Sequence, residues 1–139
     1  MYDDTQTDDT KTVDLASLDV ISAAEKGAVM PLCHPVTGVE LGMSIRLAGA
    51  DSEIYRKAQR AAVNKRVNKR RNLQLSQEEM EEESLTLLVK ITLGWDGVLF
   101  EGELLPYGQE NARMLYRRFP WIREQVDRFV HDRGNYLQD

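Results

Sequence analysis

A chain of 139 residues, 42% of them apolar, is long enough to bury a core without disulfides or metals, which favours one soluble domain. Its single cysteine, Cys33, excludes an intrachain disulfide and a multi-cysteine zinc site. The net charge of −5 argues against a dedicated nucleic-acid binder, and no apolar run reaches the ~20 residues of a membrane-spanning helix. The acidic N-terminus lacks the basic and apolar segments of a signal peptide, so we expect an intracellular protein.

The first elements in chain order are a polar tail and a short helix. Residues 1–12 contain four aspartates among threonines, and such a segment buries too little apolar surface to offset its ordering entropy. A disordered acidic tail is therefore predicted there. From Leu15 to Ala24 the apolar spacing predicts a short helix, with Asp14 or Ser17 as its cap.

Residues 28–48 have the pattern of an antiparallel hairpin. The turn chemistry lies at 35–38, where proline fixes φ and glycine allows a positive φ. Pro31 and Pro35 cannot donate ladder hydrogen bonds, so the first arm must be an edge strand or irregular. The second arm alternates cleanly, and its apolar residues share one face: Leu41, Met43, Ile45 and Leu47.

A strongly basic helix is predicted over residues 52–71, capped by Asp51 or Ser52. Eight of the sixteen residues from Arg56 to Arg71 are Lys or Arg. Its apolar stripe is narrow and consists of Ile54, Ala58, Ala61, Ala62 and Val67.

An acidic helix is predicted over residues 77–93, ending at Gly94. Ser76 and Glu79 form a capping box, and the glutamates that follow complement the helix dipole. The predicted buried face consists of Met80, Leu87, Leu88, Ile91 and Leu93.

The C-terminal region is rich in aromatic residues. Both tryptophans, all three phenylalanines and three of the five tyrosines lie between Gly94 and Leu137. A small turn or hairpin is predicted within 97–106, followed by helices over 109–118 and 120–133, the second beginning at Pro120. The complete pattern predicts an α+β fold: one mostly helical domain over 13–139 with an N-terminal β-hairpin.

No residue pattern indicates catalysis, a cofactor or a metal. His34 and His131 lack ligand spacing, and no phosphate-binding glycine motif occurs. Cys33 and His34 are neighbours on a predicted strand, where adjacent side chains point to opposite faces. We therefore expect a protein without enzymatic activity, catalytic residues, cofactor or metal.

Two groups of residues are candidates for partner binding. The basic helix offers Arg56, Arg60, Arg66 and Arg70, which either contact phosphates or form a solvated or protein-facing surface paired with the acidic helix. The second interpretation is favoured because no aromatic residues are interleaved for base stacking. The aromatic region offers Trp95, Tyr107, Tyr116 and Trp121, most of which are expected in the core and one or two at an interface.

Six segments, taken in order, carry a family resemblance: LDVISAAEKG (18–27), MPLCHPVTG (30–38), LAGADSEIYR (47–56), GWDGV (94–98), ENA (110–112) and FPWIREQV (119–126). Their order and spacing resemble the tail assembly chaperones of long-tailed bacteriophages and of prophages derived from them. The resemblance runs from about Asp14 to Leu137. Gly108 departs from it, since members often carry serine there, a better helix N-cap.

The resemblance implies the short, non-frameshifted form of a largely helical, non-enzymatic factor that acts in the cytoplasm of the bacterial host. Such proteins bind the tape measure protein, help recruit tail tube subunits, and are absent from the mature virion. The family has no partner-binding motif, so the candidate surfaces are physical: a groove in the aromatic helix pair, and a basic helix that steers an acidic client.

Self-association is a further candidate interaction, whereas membrane and nucleic-acid partners are not expected. The rival hypothesis is a small nucleic-acid-associated phage protein that uses the basic helix over residues 56–71.

Overall fold

The computed structural model describes residues 12–69 and 76–137, without the side chains of 66–69. Apart from the exposed Thr12, the predicted acidic tail lies outside the described residues. The architecture is α+β, as predicted: the described residues form five α-helices and a three-stranded antiparallel sheet, with a hairpin near the N-terminus. Within the described residues, no helix combines the length and the apolar character required to cross a bilayer.

The predicted N-terminal helix consists of two short pieces. A 3-10 turn spans Leu15–Leu18 and is capped by Asp14, as predicted. Helix α1 (Val20–Lys26) then begins at a second cap, Asp19, whose carboxylate accepts from the Ser22 amide and hydroxyl. These hydrogen bonds favour the charged form and lower the pKa of Asp19.

The central sheet has the order β1-β2-β3, with β1 (Ala28–Cys33), β2 (Glu40–Leu47) and β3 (Thr92–Asp96) all antiparallel. Strand β1 is an edge strand and its register shifts after Pro31, as the prolines require. Of the apolar face predicted for β2, Ile45 and Leu47 are buried, whereas Leu41 is exposed because it lies near the turn, outside the core.

The third strand corrects the predicted extent of the acidic helix. Helix α3 (Gln77–Ile91) ends at Ile91, and the predicted residues 92–93 are in β3 instead. Thr92 pairs with Leu47, and the Ile91 carbonyl accepts from the Ala48 amide, so pairing with β2 replaces the last helical turn. Tertiary pairing has overridden a helical pattern here, and the β-branched Thr92 suits a strand.

Helix α2 (Glu53–Lys69) begins one residue after the predicted start. Ser52, fully buried, is its cap: the hydroxyl oxygen accepts from the Tyr55 amide at 3.1 Å. Asp51 has a different role, because its carboxylate accepts two hydrogen bonds from Arg133 at 2.8 and 3.1 Å. The guanidinium lowers the pKa of Asp51 below its usual value.

Helix α3 has the predicted capping box, with Ser76 and Glu79 bonded in both directions. Its predicted buried face is only partly correct. The buried residues are Leu85, Leu88, Val89 and Ile91. Met80 is 52% exposed, because the first turns of α3 extend beyond the core that the sheet and C-terminal helices cover.

The C-terminal region completes the core. A small hairpin, β4 (Leu99–Phe100) and β5 (Glu103–Leu104), precedes α4 (Gln109–Arg118) and α5 (Pro120–Val130). Helix α5 ends at Val130, before the predicted residue 133, and a 3-10 turn follows at Arg133–Asn135. Because Gly108 offers no side-chain cap, the start of α4 is supported by Asn111, whose amide donates to the Pro106 carbonyl.

Candidate partner-binding surfaces

The titratable residues of the described chain form no cluster typical of catalysis. Among the described residues, no group of three or more His, Cys, Asp or Glu side chains could hold a metal ion. The His34 ring accepts from the Val36 and Thr37 amides at 3.0 and 3.2 Å and thereby stabilises the hairpin turn. His131 lies near Tyr55, with 3.4 Å between its Nε2 and the phenolic oxygen. The His34 contacts stabilise a turn, and the His131 contact joins α2 to the residue that follows α5.

Trp95 and Tyr107, two predicted site residues, lie against each other. Their rings meet edge-to-face with centroids 5.2 Å apart. The Trp95 indole donates to the Leu105 carbonyl at 2.8 Å, and the Tyr107 hydroxyl donates to the Thr92 carbonyl at 2.6 Å. Both polar groups therefore hold the 92–107 segment together, although the Tyr107 ring stays partly exposed.

The prediction that Tyr116 contributes to a partner-binding surface is wrong. Its side chain is fully buried in the core, where its hydroxyl and that of Thr92 are 2.6 Å apart. Burial disfavours the phenolate and raises the pKa of Tyr116 above its ordinary value. The i, i+3 and i+4 spacing of Ala112, Leu115 and Tyr116 puts all three on one face of α4, and all three are buried.

Trp121, a further predicted site residue, belongs to a second aromatic group. Its ring packs edge-to-face on Phe119 at 6.1 Å, and Phe119 packs on Phe100 at 6.2 Å. The guanidinium of Arg118 lies 5.5 Å from the centre of the Phe100 ring. Trp121 is partly buried, and its described ring contact joins α5 to the α4–α5 junction.

Two of the four predicted arginines have described side chains. Arg56 and Arg60 are exposed along α2, and both approach the Glu53 carboxylate, at 4.0 and 3.7 Å. Arg66 lies in α2 without a described side chain, and Arg70 lies outside the described residues. The positive potential of Arg56 and Arg60 is thus partly offset by Glu53.

Two glutamates of α3 form ion pairs with arginines of α4 and α5, which were not predicted from the sequence. Glu82 pairs with Arg113 at 3.1 Å and with Arg117 at 2.6 Å, both on α4. Glu81 pairs with Arg123 of α5 at 3.1 Å. One flank of α3 is therefore linked to the C-terminal helices. The spacing of Arg113 and Arg117, one helical turn apart, was the available signal.

The α2–α3 pair has an open groove on each flank. The first, the Val63 groove, has a volume of about 750 Å³ and is lined by Ala62 and Val63 of α2 and by Met80 and Leu87 of α3, among others. Val63 and Met80 are 50% and 52% exposed, and Arg56 and Arg60 also line this groove. Large exposed apolar side chains that lie together with charges beside them are typical of interaction surfaces.

The second groove, the Ala61 groove, has a volume of about 610 Å³. Its middle is formed by small or apolar groups of Ala58, Ala61, Thr86 and Leu87. A rotation of about 100° per residue puts Ala61 and Val63 about 200° apart around α2, so the two grooves lie on opposite flanks. The narrow apolar stripe on α2 was the sequence signal that this helix is incompletely covered. The positions of the two grooves depend on how α3 packs against α2, which the stripe does not show.

Comparison of the chain with protein-family models, curated proteins and solved structures finds no match.

Proposed function

We propose that this protein is a tail assembly chaperone of a long-tailed bacteriophage or prophage. It binds the tape measure protein, helps to recruit tail tube subunits in the cytoplasm of the bacterial host, performs no catalysis and is absent from the mature virion. One observation carries the proposal: the ordered set of six segments that resembles this family across residues 14–137.

The Val63 groove supports the proposal by providing a surface for a helical client. An amphipathic helix docks through apolar residues at i, i+3 and i+4, and the groove exposes the Val63 and Met80 side chains to such anchors. Arg56 and Arg60 at its side favour a client with acidic residues next to its apolar stripe. We prefer this surface to the aromatic helix pair, because Tyr116 is fully buried and Trp121 packs on Phe119.

Co-expression with the tape measure gene of the same genome tests the proposal. With the chaperone present, the tape measure protein should stay in the supernatant after lysis and should copurify with the tagged chain. Expressed alone, it should aggregate. Mass spectrometry of purified virions should detect the tube and tape measure proteins without this chain. An equally insoluble tape measure protein in both cultures, or this chain in the virion, would contradict the proposal.

The nucleic-acid hypothesis predicts a different result. Retention of the purified chain on duplex DNA should then fall steeply with salt, because phosphate contacts release counterions. The basic run from Arg56 to Arg71 has no interleaved aromatic residues for base stacking, which argues against it. Strong retention at low salt that is lost in the Arg56→Gln/Arg60→Gln variant would favour the rival.

A further inference from the structure

The β4–β5 hairpin carries a pair of exposed leucines. Leu99 and Leu104 pair directly across the two strands, and they are 53% and 69% exposed. The pair next to the two-residue turn is Phe100 and Glu103, which exchanges backbone hydrogen bonds, so the following leucine pair is of the closer, non-hydrogen-bonded kind. Its Cα atoms are then about 4.5 Å apart, and the two side chains form one apolar surface.

The hairpin has one face towards the fold and one towards solvent. Directly opposed residues share a face, and successive residues along a strand alternate between the faces. The Phe100 ring packs on Phe119 with centroids 6.2 Å apart, which attaches the first face to the α4–α5 junction. Leu99 and Leu104 therefore lie on the opposite face, which explains their exposure.

The segment that carries the leucines is negatively charged. Residues 96–104 contain no basic residue and three exposed carboxylates, those of Asp96, Glu101 and Glu103. Within the described part of the chain, none of the three takes part in an ion pair. Arg118 lies 5.5 Å from the centre of the Phe100 ring, and so belongs to the face that packs on the fold. The carboxylates are therefore available to a partner.

Glu101 holds one of these charges at the tip of the turn. Its φ is 54°, and among the described residues it is the one non-glycine residue with a positive φ. Together with Gly102, whose φ is 86°, it forms a turn of the I′ type, in which Asn, Asp or Gly is favoured at the first position. The local fold does not explain a glutamate here, which favours a role for its carboxylate in binding.

We propose that the outer face of the β4–β5 hairpin binds a cationic amphipathic helix of a partner protein. Leucines at i and i+4 of such a helix are about 6 Å apart, close to the spacing of the Leu99–Leu104 pair, so the two apolar surfaces can meet. Lysines or arginines beside the apolar stripe of the partner then pair with the unpaired carboxylates of the hairpin.

Charge separates this surface from the Val63 groove. The groove has Arg56 and Arg60 at its side and fits an acidic helix, whereas the hairpin segment is acidic and fits a basic one. The groove lies between α2 and α3, while the hairpin is attached at the α4–α5 junction. The inference therefore does not rest on the proposed chaperone function.

Two synthetic peptides of about 18 residues, or five helical turns, test the assignment. The first is an amphipathic helix of leucine and lysine, and the second has the same leucines with glutamate in place of every lysine. Fluorescence anisotropy with the full chain should give a dissociation constant in roughly the micromolar range for the leucine–lysine peptide, because the contact is small. Its binding should weaken as salt is added, since the pairing charges are exposed.

Two double variants of the hairpin should weaken binding of the leucine–lysine peptide. Leu99→Ser/Leu104→Ser removes the apolar contact and should weaken it at least about tenfold. Glu101→Gln/Glu103→Gln removes two exposed charges and should weaken it about threefold. Neither variant should change binding of the leucine–glutamate peptide.

Each variant has a matched control, and thermal unfolding establishes that all four proteins are folded. Leu15→Ser/Leu18→Ser changes two exposed leucines of the N-terminal 3-10 turn, and Glu40→Gln/Glu124→Gln removes two exposed carboxylates elsewhere. Both controls should bind the leucine–lysine peptide as the wild type does. The proposal is overturned if the wild type does not bind this peptide, or if the hairpin variants and their controls weaken binding equally.

Discussion

The aromatic C-terminal region, residues 94–137, and the α2–α3 pair differ in how far their large side chains are buried and hydrogen-bonded within the fold. In the C-terminal region, Trp95 and Tyr107 donate hydrogen bonds to backbone carbonyls, and Tyr116 is fully buried. In the α2–α3 pair, Val63 and Met80 expose half of their side chains beside open grooves. Concentrated aromatic residues therefore stabilise this fold, whereas the weakly apolar helix pair leaves apolar side chains exposed beside its grooves, where we propose that partners bind.

Tyr116→Ala should have the largest effect on stability. It removes a buried ring from the core and leaves the Thr92 hydroxyl with one contact fewer, so we expect a loss of about 3–5 kcal/mol in the free energy of unfolding. Urea unfolding followed by tryptophan fluorescence measures it. A loss below about 1 kcal/mol would contradict a structural role for Tyr116 in the core.

Gln125→Ala should have an intermediate effect. The Gln125 side chain hydrogen-bonds to the backbone of the edge strand β1, as a neighbouring strand would. Its Oε1 accepts from the Cys33 amide at 3.1 Å, and its Nε2 donates to the Cys33 carbonyl at 2.8 Å. Loss of both bonds should cost about 1–2 kcal/mol. It should also speed hydrogen exchange at Cys33, which NMR can resolve. Gln109→Ala, at an exposed residue of α4, is the control, and equal effects of the two substitutions would exclude the proposed role.

Asp51→Asn should change how the free energy of unfolding depends on pH. Arg133 lowers the folded-state pKa of Asp51, so the stabilisation is complete above the unfolded pKa of about 4 and is lost as pH falls through the folded pKa. The unfolding free energies of wild type and variant should therefore differ at neutral pH and converge in acid. The difference should be small, because Arg133 is largely exposed.

The matched control for that experiment is Asp96→Asn, which removes a carboxylate without an ion pair in the described chain. A wild-type advantage that persists unchanged in acid would contradict the assignment to Asp51.

Val63→Ala should have the smallest effect on stability. Its side chain is half exposed and alanine is a better helix former, so the free energy of unfolding should change by no more than about 0.5 kcal/mol. Thermal or urea unfolding of the variant checks this. A loss comparable to that of Gln125→Ala would mean that Val63 belongs to the core and does not line an open surface.

Local sequence signals predicted much of the fold. The hairpin, the Ser76 capping box and the Pro120 helix start follow from turn and cap chemistry that acts within a few residues. The end of α3 could not be predicted in this way, because Thr92 joins the sheet through pairing with Leu47, which is distant in sequence.

The candidate surface was harder to predict for the same reason. Aromatic content indicated Tyr116 and Trp121 as candidates for binding, although hydrogen bonds and ring contacts formed by folding occupy them. Met80 follows the apolar spacing of α3, and only the position of the core relative to the first turns of that helix leaves it exposed. Sequence periodicity defines a face, whereas tertiary packing decides whether another element covers it.

Capture of the tape measure protein by a Val63→Glu variant tests the central claim most directly. The substitution places a charge in the middle of the Val63 groove on a residue that favours helix, and the matched control is Val36→Glu in the exposed hairpin turn, where Val36 is 86% exposed. Both variants should unfold at the wild-type temperature. We predict that Val63→Glu loses most of the captured tape measure protein while Val36→Glu retains it. Equal recovery by the two folded variants would contradict the assignment of client binding to this groove.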